Sequence, residues 1–202
     1  MSFQSRAHSR HSLSALGHAA GQGRWGVLSG MILGGVLFVA GAGAHAGRLA
    51  AAGLDFSISP RHPEQVMAFY SARGFAPETV AAIARACFLT VGLTNLRPEV
   101  VWLEPARWRF ETMDGRPVRR IARAEWEAVF EASRTPLAHR ATFGWTQLPE
   151  RRDLQPGEPV GGNVTVEPPA KPFRLIAVFP TGERGEGPPI ELRIENLSCP
   201  GP

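Results

Sequence analysis

Six histidines, two cysteines and a scatter of carboxylates are the chemistry-bearing material of this 202-residue chain. Their positions narrow what they can do. His8, His11, His18 and His45 fall within the first 46 residues, which leaves His62 and His139 for the remainder. A zinc site draws on three or four His, Cys or carboxylate ligands, so no metal, and no other cofactor, is expected. A serine hydrolase needs a nucleophile on a sharp turn with a histidine in reach. No G-x-S-x-G occurs, and no catalytic residue is assigned. Glu127 and Glu131 have the spacing of a carboxylate pair, but Arg123 and Arg134 flank them and a charged, solvated helix face is expected. The run Gly182-Glu-Arg-Gly-Glu-Gly187 lacks the Lys-Ser/Thr of a P-loop, and its glutamates repel phosphate. A hairpin turn is expected there. Asn163-Val-Thr165 spells an N-glycosylation acceptor, incidental in its strand-like setting.

Cys87 and Cys199 are the two cysteines, with no C-x-x-C spacing to mark a redox pair. One disulfide between them is expected in an exported chain. Trp102, Trp108, Trp126 and Trp145 lie beyond residue 46. An indole buries a large area, so core burial is the first expectation. Exposed, Trp102, Trp108 and Trp145 would form an aromatic binding surface for a protein or a sugar, and Trp102 and Trp108 stand six apart on neighbouring strands.

The address of the chain is written in Trp25–Ala46, which carries no Lys, Arg, Asp or Glu and follows Arg6, Arg10 and Arg24. A basic leader, an apolar run and small residues at Ala44 and Ala46 make an export signal. Cleavage after Ala46 is preferred. The alternative is a retained anchor, since 22 uncharged residues suffice for a bilayer needing roughly 20. Gly26, Gly30 and Gly34 add a small-xxx-small spacing. Either way the arginine excess keeps the leader cytoplasmic and sends residues 47–202 outside. The same three arginines supply most of the net charge of +4. Beyond them the signs are interspersed, which argues against a nucleic-acid partner.

Residues 47–61 read as a Gly/Ala-rich linker ending in extended Asp55–Pro60. Pro63 and Pro77, each followed by Glu, open two short helices carrying Val66, Met67, Phe69 and Tyr70, then Val80, Ile83 and Cys87. Strand signals follow at 88–95, 99–104 and 106–112, with a hairpin at Met113-Asp-Gly-Arg116. Residues 122–133 return to helical spacing. Further strands are predicted at 141–148, 160–167, 172–179 and 189–197, about seven in all.

Residues 88–197 resemble the immunoglobulin-type, telokin-like domains of exported bacterial lipoproteins and membrane-anchored proteins. The matching pieces are Leu89-Thr-Val-Gly-Leu-Thr-Asn95, Trp108-Arg-Phe110, the Asp-Gly hairpin, Leu154-Gln-Pro-Gly-Glu158, Gly162-Asn-Val-Thr-Val166 and Phe173-Arg-Leu-Ile-Ala-Val-Phe179. The resemblance implies a β-sandwich used for binding or scaffolding, and fold analogy alone does not specify function. The helical pair in front and the inserted helix depart from the pattern. The expectation is therefore a mainly β chain: an immunoglobulin-like β-sandwich with an N-terminal helical hairpin and one inserted helix. Its division is 1–46 signal peptide or anchor, 47–61 linker and 62–202 domain. The expected function is a non-enzymatic periplasmic or membrane-anchored interaction module with an envelope protein partner. The alternative is a small-ligand- or metal-handling periplasmic binding protein.

Overall fold

Alternation along Leu54–Pro60 (β2) and Cys87–Asn95 (β3) sets the architecture, because successive strand residues face opposite ways. Leu54, Phe56 and Ile58 point inward beside Asn95, Leu93 and Val91 in antiparallel register, while Asp55, Ser57 and Ser59 face out beside Thr94, Gly92 and Thr90. The computed structural model describes residues 46–201, so the leader and its export reading lie outside the described residues. Gly47–Ala51 (β1) pairs with β2. The remaining strands are Val101–Leu103 (β4), Arg109–Thr112 (β5), Pro117–Val118 (β6), Arg120–Ile121 (β7), Arg152–Leu154 (β8), Pro159–Val166 (β9), Phe173–Thr181 (β10) and Gly187–Leu197 (β11). One antiparallel sheet runs β1-β2-β3-β9-β7. The other runs β6-β5-β10-β4-β8, with β11 paired along β10.

The two sheets close on a shared apolar core. Phe56 of the first meets Trp108, just before β5, and Phe179 of the second edge-on, at ring-centroid distances of 5.9 and 6.0 Å. Buried Asn95 is fully used within this interior: its side-chain amide donates to the carbonyls of Glu99 and Leu154, and its side-chain oxygen accepts from Arg97 N–H.

Four helices form a second core on the outer face of the first sheet. They are Pro63–Ser71 (α1), Pro77–Ala84 (α2), Arg123–Ala132 (α3) and Leu137–Thr146 (α4). Phe88 on β3 and the partly buried Ile121 on β7 are the sheet's contribution, and Val66, Tyr70, Ile83, Trp126, Phe130 and Phe143 pack with them. None of the described helices is long and apolar enough to cross a membrane.

Two expectations change. Residues 47–61 are not a linker: β1 and β2 form a hairpin at one edge of the first sheet, turning at Ala52 and Gly53, both with positive φ, and Gly47 fits against β11, where a Cβ would sit 2.6 Å from Ile194 Cγ2. Residues 141–148 are not a strand but mostly the end of a second inserted helix, α4, where one inserted helix was expected. Thr142, Phe143, Trp145 and Thr146 favour strands intrinsically, but Phe143 is the one bulky residue of that stretch needed in the helical core, and a helix delivers it there. The Asp-Gly hairpin is formed between β5 and β6, with Gly115 at φ +84°. Cys87 and Cys199 are bonded, tying β3 to the tail after β11 across a separation of 112 residues.

Candidate functional site

A cleft of about 470 Å³ opens where the helical layer stops short of covering the first sheet. α1 forms one wall with its side from Gln65 to Tyr70. Its Pro63 sits at the first helical turn, where a missing N–H is harmless, and Gln65 Oε1 accepts from His62 N–H at 3.3 Å. This places Gln65, Val66, Phe69 and Tyr70 toward the cleft. Phe88 and Thr90 of β3 and Asn163 of β9 make the floor, and Thr146 at the end of α4 closes the far side.

A line of hydrogen bonds crosses this floor. Arg61 Nε donates to Thr90 Oγ1 at 2.7 Å, and the Thr90 hydroxyl donates to Asn163 Oδ1 at 2.8 Å. Asn163 Nδ2 then donates to the Thr146 carbonyl at 2.9 Å, while the Thr146 and Tyr70 hydroxyls share a hydrogen bond of 2.8 Å. Burial pushes the Tyr70 phenol up to about 12, with the Thr146 hydrogen bond opposing the rise. At neutral pH it is a neutral hydroxyl on a stack of aromatic rings: Phe75 lies 5.1 Å away and Phe143 5.6 Å. At the other end of α1 the Arg73 guanidinium lies over the Phe69 ring, 3.4 Å from its centroid.

The exit from α4 is held by close backbone approach. Leu148 N–H donates to the Asn163 carbonyl at 2.9 Å. A Cβ on Gly162 would lie 2.7 Å from Leu148 N and 2.8 Å from the Gln147 carbonyl carbon, so glycine is needed for α4 to reach β9.

The three tryptophans singled out by sequence do not share a surface. Trp108 is 5% exposed within the core between the sheets, so it does not belong to an exposed platform. Trp102 points out of the other layer, since its neighbours Val101 and Leu103 point in. Its Nε1 donates to the Gly182 carbonyl at 2.9 Å, and Arg151 stacks on its ring. Trp145 is 85% exposed on α4, in line with Ala141 and with Leu137, itself 78% exposed.

Other candidates are engaged structurally. Glu127 and Glu131 face Arg140 at 3.9 and 3.4 Å, rather than Arg123 or Arg134. His139 stacks on Phe75 at 4.7 Å. In the 182–187 turn the Glu186 carboxylate accepts its own and the Arg184 backbone N–H, which holds its carboxyl below the usual range and occupies the donors an anion would use. No group of three or more metal-type ligands occurs among the described residues.

Sequence reasoning assigns no site role to Arg61, Thr90 or Thr146. It takes Tyr70 as one more apolar helix residue and Asn163 as part of a strand with an incidental glycosylation pattern. The available signal was Tyr70, the chain's single tyrosine, whose buried hydroxyl needs a polar partner.

No family model matches the chain, and no curated protein matches it. Among solved structures it is similar to the yjhA protein from Bacillus subtilis, at 11% identity over 65% of this chain and 76% of that one, with a TM-score of 0.37. A likeness at that level carries no argument about family or function.

Proposed function

We propose that this chain is a non-enzymatic binding module of the cell envelope, an immunoglobulin-like scaffold whose added helices create a small-ligand site. The observation that carries this reading is the cleft beneath α1. It combines apolar walls with a few converging polar groups, the usual make-up of a small-molecule site, and its volume falls within the range of about 300–1,000 Å³ typical of such pockets. The scaffold half of the reading draws support from the two facing antiparallel sheets. The Cys87–Cys199 bridge is consistent with an extracytoplasmic address.

Native mass spectrometry of the protein drawn from its own envelope tests the site. The expected spectrum shows a small molecule bound to the native chain and absent from a Gln65→Trp variant, whose indole fills the cleft from an exposed helix position. Bare native protein, or a ligand retained equally by the plugged variant, contradicts the reading.

A second reading has its own observation. Leu137, Ala141 and Trp145 recur at four-residue spacing along the outside of α4, all exposed. Such a stripe suits an envelope protein partner, because exposed tryptophans are frequent anchors of interfaces. Trp145→Ser would then abolish the complex while leaving the ligand content of the cleft unchanged.

A further inference from the structure

We infer that the cleft selects a small apolar molecule bearing a single carboxylate, with Arg61 as its counter-ion. This rests on the reading of the cleft as a ligand site and adds the chemical class. The first support is the kind of hydrogen-bonding capacity left over. Arg61 commits only its Nε, to Thr90, which leaves the two terminal nitrogens of its planar fork at the cleft. Gln65 commits its oxygen to the His62 N–H, leaving its amide NH2. Both spare groups are donors, so the matching ligand group is an acceptor.

The second support is charge. Arg61 is in no ion pair among the described residues, whereas Arg119, Arg120 and Arg174 each sit on carboxylates. Among the described residues no Asp or Glu lines the cleft; even Glu64, in the first turn of α1, is outside it. Arg73, lying on Phe69 and likewise in no ion pair among the described residues, adds a second cation beside the same wall. A guanidinium fork meets a carboxylate through two parallel N–H···O bonds, stronger and more directional than neutral pairs. The third support is the wall: the exposed ring of Phe69, backed by the buried Val66 and Phe88, offers apolar surface suited to a hydrocarbon or aromatic body next to that charge.

Hydrocinnamate and its neutral isostere hydrocinnamamide are titrated into the full-length protein and followed by nitrogen–proton correlation NMR. The carboxylate is expected to shift the Arg61 Nε–H and Gln65 amide signals and to bind about tenfold or more tighter than the amide, as befits one charge-assisted pair. Arg61→Gln should remove that preference and leave the weak affinity for the amide as it was. Arg184→Gln, the same charge change in the β10–β11 turn, should alter neither. Equal binding of the two probes, or a preference that survives Arg61→Gln, overturns the inference and leaves the cleft standing as a neutral site. If neither probe moves the cleft signals, the inference is likewise overturned, and the cleft reading is then decided by the mass spectra alone.

Discussion

Tyr70 ties α1 to the end of α4 through its hydroxyl and reports on the integrity of the cleft. Burial holds its folded-state ionisation near 12 against an ordinary value of 10.0. The folded chain therefore keeps its phenolic proton where the unfolded chain has begun to lose it. This contribution is fully present below pH 10 and is lost as pH rises through about 12, on the order of 2–3 kcal/mol in all. Chemical denaturation at a series of alkaline pH values should show that decline, and Tyr70→Phe should flatten it. Phenolate absorbance reads this one group, since the chain holds no other tyrosine. Tryptophans give a second contrast. Trp126 is buried, and its Nε1 donates to Thr165 Oγ1 at 2.8 Å, so Trp126→Ala should cost about 3–5 kcal/mol. Trp145→Ser should change stability by less than about 0.5 kcal/mol, as urea melts of the two variants would show. A single sequence position gives no means of telling these indoles apart. Burial of Trp126 follows from its helical stripe, but exposure of Trp145 depended on reading 137–146 as a helix.

The elements were most readable where pattern and tertiary need agreed. The proline-initiated helices α1 and α2, the stripe of α3, the alternation of β3 and the Asp-Gly hairpin all follow local rules. The misreadings have a common physical source: β1 and α4 are decided by neighbours distant in sequence rather than by their own composition. The cleft was unreadable for the same reason, because Tyr70 meets Thr146 across 76 residues and Thr90 meets Asn163 across 73. Two substitutions test how the elements are joined. Gly162→Ala would push a methyl group into the Gln147–Leu148 backbone, which has no flexible end to give way, and should destabilise by about 1–3 kcal/mol. The same change should raise amide exchange at Gln147 and Leu148, whose backbone lies against it. Cys87→Ser or Cys199→Ser should each lower stability by about 4–5 kcal/mol, the chain-entropy value for a loop of this length. The double variant should match the singles, because the same bond is lost. Thermal melts of all three, with free-thiol mass mapping of the native chain, check this directly.

For the molecule as a whole, the start of β1 at Gly47 bears on how it is held. The expected signal cleavage falls after Ala46, so a processed chain would begin Gly-Arg-Leu-Ala at the first residue of the sheet. A retained segment would instead place the sheet immediately after the apolar run, without the linker that composition suggested. N-terminal sequencing of the protein from its native compartment distinguishes the two: an intact Met1 in the membrane fraction overturns the preference for cleavage. Under the proposed function, the helical additions make a ligand site on the face of the first sheet. A crystal structure of the protein purified from its own envelope addresses this most directly. The expected map shows a bound molecule over Phe69 and Phe88 with its polar end at Arg61. A cleft holding only solvent, with density for a partner lying instead along Leu137 and Trp145, would contradict it.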